Sequence, residues 1–206
     1  MSNDRFAVFI LTNRRANNVI TYKTLRRQGY TGQIYLLVDD EDSQIKEYKS
    51  RYKEEVIVFS KQKAIDITDS GDCFDKRNVI VYARNYSFEV AKQLGIQYFL
   101  QLDDDYSAFN YTLDSDLQYI TKQFQIKNLN QLFNKTLKFF KNTKAITTVA
   151  FAQGGDYMGG ENSTLAKLGS KGLFARKVMN TFFCDVSRPF KFFGTLNEDV
   201  NMYVSQ

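Results

Sequence analysis

"VYARNYSFEVAKQLGIQYFLQLDDD", residues 81–105, sets three adjacent carboxylates directly after an apolar run. Small and apolar side chains recur at helical spacing in its first half, which predicts a helix over about 79–94 that stops at Gly95. The apolar residues of 96–102 predict a buried strand that ends at the three aspartates. Because adjacent negative charges repel one another and resist burial, the run is either an acidic surface turn or the site of a compensating divalent cation.

The rest of the first half alternates between apolar strands and helices. The pattern predicts strands at 6–11, 33–40 and 55–60, helices at 17–29 and 43–52, and an irregular segment at 61–75. Apolar strands separated by helices are typical of an α/β fold with a Rossmann-like, mostly parallel sheet that helices cover on both faces.

The second half is less regular. It predicts a core-packing helix near 129–140, a strand at 145–152, a glycine-rich loop at 153–163, a strand and turn at 169–179, and a final helix within 192–204. No internal repeat and no linker-like composition interrupts the chain, so we expect a single domain over residues 1–206.

The absence of histidine from all 206 residues excludes several kinds of catalytic site. Ser-His-Asp triads, Cys-His nucleophile pairs, HExxH zinc sites and histidine general bases all need that residue. The two cysteines, Cys73 and Cys184, are too few for a soft-ligand metal site, and we expect them to be small buried side chains in a reduced compartment. The chemistry is therefore expected to use carboxylates, basic residues, hydroxyls or a hard metal ion.

The net charge of +5 comes with an excess of lysine between Lys122 and Lys144. Such a basic face is typical of proteins that bind nucleic acid, anionic lipid or a phosphorylated small molecule, and equally of a solvated helix surface. No stretch approaches the roughly 20 apolar residues that cross a bilayer, and the N-terminus predicts a strand rather than a signal peptide. We therefore expect no membrane partner and a cytoplasmic location.

Polar side chains follow three of the predicted strands, at the strand ends where ligands bind in sheets of this kind. They are Thr12-Asn13-Arg14, Asp39-Asp40 and Asp103-Asp104-Asp105. In an extended segment Asp103 and Asp105 point the same way and converge on one ion, whereas Asp104 lies on the opposite face. Oxygen ligands of this kind favour Mg²⁺ or Mn²⁺.

Each of the other candidate residues has a plain alternative. Arg84, at the start of the predicted helix, and Arg14 and Arg15, after the first strand, either hold a diphosphate or form surface ion pairs. Asp39 either accepts hydrogen bonds from a base or ribose or lies in a solvated turn. Glu198 and Asp199 supply either a general base, which a chain without histidine needs, or the acidic start of a helix.

In order and spacing these motifs resemble the GT-A class of nucleotide-sugar glycosyltransferases. The resemblance covers nearly the whole chain and rests on Ala-Arg-Asn at 83–85, Asp-x-Asp at 103–105, the glycine-containing segment GSKGLFARK and Asn-Glu-Asp at 197–199. It implies a donor half at about 1–105 and an acceptor half at about 106–206. The chain stops soon after Asp199, so we expect the acceptor half to be minimal or truncated.

The resemblance implies that Asp103 and Asp105 hold Mn²⁺ or Mg²⁺ on the diphosphate of a UDP-sugar, with Arg84 near the phosphates. Asp199, or Glu198, would deprotonate an acceptor hydroxyl in an inverting transfer.

The same resemblance implies that Thr12, Arg14 and Asp39 lie near the nucleoside and Asp104 near the donor ribose or sugar. Many GT-A enzymes complete the metal shell with a late histidine, and its absence here implies a metal site that depends on bound nucleotide.

More narrowly, FILTNRRANNVITYKTLRRQGYTGQIYLLVDDED (9–42) with YFLQLDDDYSAF (98–109) resembles the TET-associated glycosyltransferases of phages and some eukaryotes. That resemblance implies a hydroxymethylated pyrimidine in DNA as acceptor, flipped out to reach the donor, and the host cytoplasm as location if the chain is phage-encoded. The lysine excess fits a DNA partner. A nucleotidyltransferase with the same acidic metal site and a non-catalytic module of this fold that binds nucleic acid or protein are the alternatives.

Overall fold

The computed structural model of the chain describes residues 5–71, 76–113, 119–152 and 179–205. Its strands are β1 (Phe6–Leu11), β2 (Ile34–Asp39), β3 (Val56–Phe59), β4 (Tyr98–Asp103), β5 (Asn110–Leu113), β6 (Tyr119–Gln125) and β7 (Thr181–Asp185). Its helices are α1 (Ile20–Arg27), α2 (Ile45–Tyr52), α3 (Lys61–Asp66), α4 (Val81–Gln93), α5 (Leu129–Asn142) and α6 (Glu198–Val204).

Five strands form one sheet in the order β3-β2-β1-β4-β7. β1 to β4 run parallel, and β7 pairs antiparallel with β4 at the edge. Leu11 of β1 lies level with Leu37 of β2 and with Asp103 of β4, so these three strands end at one edge of the sheet. The α/β fold with a Rossmann-like, mostly parallel sheet is therefore confirmed.

The side chains of β1 alternate between two apolar cores. Ala7, Phe9 and Leu11 pack with residues of α3, α4 and α6, whereas Val8 and Ile10 pack with residues of α1, α2 and α5. All five are at most 3% exposed. Burial on both faces explains why the strand is apolar throughout, and it confirms that helices cover both faces of the sheet.

The turn between α4 and β4 brings the two halves of the 81–105 stretch together. Gly95 adopts φ +64, the left-handed conformation that glycine accepts without steric cost. Its N–H donates to the carbonyl of Lys92 at 3.1 Å, and the N–H of Ile96 donates to that of Ala91 at 2.9 Å, which closes the helix end. The chain then reverses into β4, so the first turn of α4 comes beside the end of β4.

Two local predictions are wrong. The segment 61–75 is not wholly irregular, because α3 begins after Ser60, whose Oγ accepts a hydrogen bond from the N–H of Lys63 at 3.4 Å. The residues 145–152 form no strand; Val149 makes one isolated bridge to Phe183 in β7, and β7 itself takes the place beside β4. The predicted loop at 153–163 and nearly all of the predicted strand and turn at 169–179 lie outside the described residues, as does Cys73. Within the described ranges, no helix has the length and apolarity to cross a membrane.

A two-stranded hairpin of β5 and β6 stands apart from the main sheet. A buried glutamine fixes its base: Gln28 Nε2 donates to the carbonyls of Phe109 and Ile126, each at 2.7 Å, and its Oε1 accepts from the N–H of Phe109 at 2.7 Å. The N–H of Ile126 also donates to the carbonyl of Phe109 at 3.0 Å. The hairpin, which sequence patterning did not predict, is thus tied to the end of α1.

Candidate active site

A cavity of about 300 Å³ opens at the carboxyl edge of the sheet. The ends of three parallel strands line it: Thr12 follows β1, Asp39 ends β2, and the three aspartates 103–105 end β4. Residues 78–80, just before α4, also line the cavity. The three polar strand ends that the sequence predicts to meet are therefore gathered around one space.

Asp103 is the last residue of β4, and its side chain is 21% exposed. Burial raises the pKa of Asp103 to about 6; Arg84 opposes this shift, and the charges of Asp105, Glu198 and Asp104 add to it. Asp105 is exposed and lines the same cavity. The strand end therefore carries more negative charge than its arginine neighbour offsets.

The donor set at this strand end fits a hard divalent cation. Asp103 and Asp105 offer carboxylate oxygens to the cavity, and a cation there would offset the negative charge of the carboxylates around Asp103. Within the described ranges, no group of three or more His, Cys, Asp or Glu side chains is placed to hold a metal ion. A cation held by these two carboxylates would therefore take its remaining ligands from water or from a bound molecule.

Arg84 lies in the interior behind the cavity. It is 1% exposed; its Nη2 donates to Asp103 Oδ1 at 3.0 Å and its Nε donates to Glu198 Oε1 at 3.0 Å. Nη2 also donates to Asn180 Oδ1 at 3.1 Å, while Nη1 finds no acceptor among the described residues. Burial by itself would lower the pKa of Arg84, but the charges of Asp103 and Glu198 outweigh it and the net shift is upward. Arg84 therefore ties the end of β4 to the start of α6.

Asp104 has a different set of partners from Asp103. Its Oδ2 accepts a hydrogen bond from Thr12 Oγ1 at 2.7 Å, and its Oδ1 accepts from Arg15 Nη1 at 2.8 Å. Thr12 Oγ1 also lies 2.8 Å from the hydroxyl of Tyr48. Burial raises the pKa of Asp104, although the bonds from Thr12 and Arg15 lower it. Asp104 and Thr12 therefore belong to a single hydrogen-bonded wall of the cavity.

A buried ion pair forms the β2 side of the cavity. Lys61 Nζ donates to Asp39 Oδ2 at 2.9 Å, and the two side chains are 5% and 6% exposed. Asn13 Nδ2 donates to the same oxygen at 2.9 Å, and the N–H of Glu41 donates to Oδ1 at 3.1 Å. Three donors therefore hold the Asp39 carboxylate in place, and it does not lie in a solvated turn.

Arg14 and its neighbour Arg15 lie in different surroundings. Arg14 is exposed and does not line the cavity; it has φ +53, and its N–H donates to Asp42 Oδ2 at 2.6 Å. Arg15 lines the cavity and pairs with Asp104. The left-handed turn at Arg14 thus directs the following arginine toward the aspartates.

Glu198 and Asp199 begin α6 and differ in their partners. Glu198 Oε1 accepts the bond from Arg84. Asp199 is 5% exposed, and its Oδ1 accepts a bond from the N–H of Val200 at 2.8 Å. The pKa of Asp199 is raised, mainly by burial. The hydrogen bond from the Val200 N–H opposes this shift, and the charge of Glu198 adds to it. The GSKGLFARK segment lies outside the described residues.

Sequence reasoning named Arg15 only beside Arg14 as a basic residue after the first strand, and it did not select Lys61 or Tyr48, although all three make the cavity or its wall. Lys61 follows the third apolar strand directly after Ser60, so the rule that identified polar residues after β1, β2 and β4 would have found it at β3. Tyr48 lies in α2 and gives no comparable signal, because it reaches Thr12 only through tertiary packing.

Comparison with known proteins gives one family. A family model described as TET-Associated Glycosyltransferase matches residues 6–206. No curated protein and no solved structure matches the chain.

Proposed function

The chain belongs to the TET-associated glycosyltransferases, and on that premise we propose that it is a GT-A type enzyme that moves a sugar from a UDP-sugar to the hydroxyl of a hydroxymethylated pyrimidine in DNA. The observation that carries the proposal is the meeting of Asp103, Asp105 and the buried Asp39–Lys61 pair in one cavity. Such a cavity offers polar groups for a nucleoside at one side and carboxylates for a metal-bound diphosphate at the other.

On the nucleoside side, Asp39 is fixed in place before any ligand arrives. The carboxylate takes hydrogen bonds from Lys61 and Asn13, so its orientation costs little to maintain on binding. Thr12, held by Tyr48 and Asp104, lines the same side of the cavity. We assign these residues to the nucleoside and ribose.

On the diphosphate side, Asp103 and Asp105 would hold Mn²⁺ or Mg²⁺, which when bound offsets the negative charge that develops on the departing UDP. Arg15 adds a half-exposed cation to the cavity wall. Arg84 is buried and acts by holding Asp103 in position rather than by touching the donor.

The transfer needs a base for the acceptor hydroxyl, and we assign that role to Asp199. Glu198 is engaged by Arg84, which fixes the direction of its carboxylate. Asp199 has a pKa raised by burial, as suits a carboxylate that takes up a proton. The acceptor oxygen would attack the anomeric carbon while the bond from that carbon to the UDP oxygen breaks and the proton passes to Asp199, giving inversion.

Calorimetry with UDP, UDP-sugars and nucleoside triphosphates, with and without Mn²⁺, tests the donor site. We expect UDP binding that requires Mn²⁺ and is lost in Asp105→Asn, because one of two protein ligands is removed. Asp66→Asn, an exposed aspartate on α3, is the matched control and should bind as the wild type does. Failure of every nucleotide to bind in the presence of Mn²⁺ would refute the donor assignment.

A mass assay tests the acceptor. The protein is incubated with UDP-sugars and with DNA that carries either hydroxymethylated or plain pyrimidines. We expect a mass shift of one hexose that is confined to the hydroxymethylated DNA. Absence of a shift with every donor would refute the proposed acceptor, whereas the donor site would still be judged by the calorimetry.

A further inference from the structure

The positive charge of the chain is concentrated in one segment. Residues 117–155 contain six lysines and no Asp, Glu or Arg. Since the whole chain has a net charge of +5, the remaining residues together carry a net charge of −1. No carboxylate within this segment offsets the positive charge of its lysines, so the segment as a whole attracts polyanions.

Exposed aromatic rings are concentrated in the same region. Tyr111 is 54% exposed, Phe124 51% and Phe139 57%, and they are the aromatic side chains of the described residues that are more than half exposed. Tyr111 and Phe124 lie directly opposite each other on the paired strands β5 and β6. Two rings at opposed positions of a hairpin are neighbours across the strands and present a joint apolar face.

Helix α5 follows the hairpin directly along the chain and contains no acidic residue. Its exposed positions are Gln131, Asn134, Lys135, Lys138, Phe139 and Asn142, which fall on one side of the helix, while Leu129, Phe133, Leu137 and Phe140 are buried on the other. Three residues, 126–128, separate the end of β6 from the start of the helix, and the exposed Lys127 is one of them.

The hairpin lies close to the candidate active site along the chain. β5 begins at Asn110, five residues after Asp105, so the two are at most about 18 Å apart. The bonds of Gln28 to Phe109 and Ile126 hold the hairpin base in place. A strand of nucleic acid that contacts the hairpin therefore comes within a few nucleotides of the cavity.

We propose that hairpin β5–β6 and the exposed face of α5 form a binding surface for single-stranded DNA, with bases stacked on Tyr111 and Phe124 and phosphates neutralised by lysines such as Lys135 and Lys138. The proposal rests on the proposed function, in that it names the surface that holds the acceptor strand. Interleaved lysines and exposed aromatic rings are the chemistry that binds single strands without sequence preference, and paired bases would not be free to stack.

Fluorescence anisotropy with a labelled single-stranded oligonucleotide, without donor or metal, tests the surface. Lys135→Gln with Lys138→Gln should weaken binding and reduce the salt slope of log K by about 1.4, at about 0.7 per neutralised phosphate. Tyr111→Ala with Phe124→Ala should weaken binding by about 5- to 150-fold for each stacked base lost. Lys46→Gln with Lys49→Gln is the control, because these exposed lysines of α2 have the same spacing as the α5 pair.

Either of two results would overturn the proposal. The first is that both surface variants bind the oligonucleotide as tightly as the Lys46/Lys49 control does. The second is that the wild-type protein binds vesicles of anionic lipid but not the oligonucleotide. Because the assay contains no UDP-sugar, failure of the wild-type chain to bind the oligonucleotide while it still binds UDP with Mn²⁺ refutes the surface alone. Conversely, intact DNA binding without sugar transfer refutes the proposed function alone.

Discussion

Replacing Lys61 by methionine removes one charge of the buried pair beside the cavity while keeping most of the apolar stem. Asp39 then stays as a buried anion with its bonds from Asn13, at 2.9 Å, and from the N–H of Glu41, at 3.1 Å. Removing one partner of a buried ion pair costs about 3–5 kcal/mol of the free energy of unfolding. Since two donors remain on Asp39, we expect the lower end, about 3 kcal/mol.

Urea denaturation at neutral pH measures this loss, and two comparisons identify its cause. Lys63→Met changes an exposed lysine of the same helix and should shift the free energy of unfolding by no more than about 0.5 kcal/mol. Asp39→Asn combined with Lys61→Met removes both charges, so the double variant should be at least about 1 kcal/mol more stable than the sum of the single losses implies.

A loss below about 1 kcal/mol for Lys61→Met would mean that the pair behaves as a solvated surface ion pair. Additive losses in the double variant would mean that the two side chains do not depend on each other. Either result would refute the reasoning that Asp39 is preset by Lys61.

Three further predictions concern a buried amide, the assigned base and a buried thiol. Gln28→Leu should cost about 2–4 kcal/mol in urea denaturation, because the N–H of Phe109 is left without its partner. Asp199→Asn should lower kcat by about 100- to 10,000-fold without changing UDP affinity, because the base is removed. In the wild type, kcat/KM should fall as the pH is lowered, because protonation of Asp199 removes the base. Since burial raises the pKa of Asp199, this fall should occur at a higher pH than for an ordinary aspartate. The thiol of Cys184 is buried and its pKa is raised well above the usual value, so the Cys73→Ser variant should show no reaction with a thiol reagent until denaturant is added.

The meeting of strand ends was predictable because it follows from chain direction alone. Apolar runs that end in Thr12, Asp39 and Asp103 must bring those residues to one edge once the strands are parallel, and the register confirms it. An apolar run in the sequence does not specify where side chains point after the strand has ended. Asp104 and Asp105 lie in a turn after β4, so strict alternation ends at Asp103.

The interior position of Arg84 could not be predicted from its place in the sequence. A guanidinium in the first turn of α4 can reach either the cavity or the core. The choice depends on Asn180, just before β7, and on Glu198 in α6, which come about 100 residues later in the chain. β7 itself escaped prediction because its three consecutive apolar residues, 182–184, give no period, and its antiparallel pairing with β4 is a long-range contact without a local turn signal.

The outer margin of β7 carries a consequence for the solubility of the protein. The N–H of Phe183 donates to the carbonyl of Val149 at 2.9 Å, its carbonyl accepts from Thr148 Oγ1 at 2.9 Å, and Thr181 Oγ1 accepts from the N–H of Phe151 at 2.7 Å. At the other margin, β3 has only four residues and follows the charged turn Lys53–Glu55. Edge strands with exposed, unpaired backbone N–H and C=O groups can pair with strands of other molecules and so start aggregation. In this sheet the β3 edge is short and lies next to charged residues, and the β7 edge is covered by residues 148–151 of the same chain. Both features disfavour pairing with strands of other molecules.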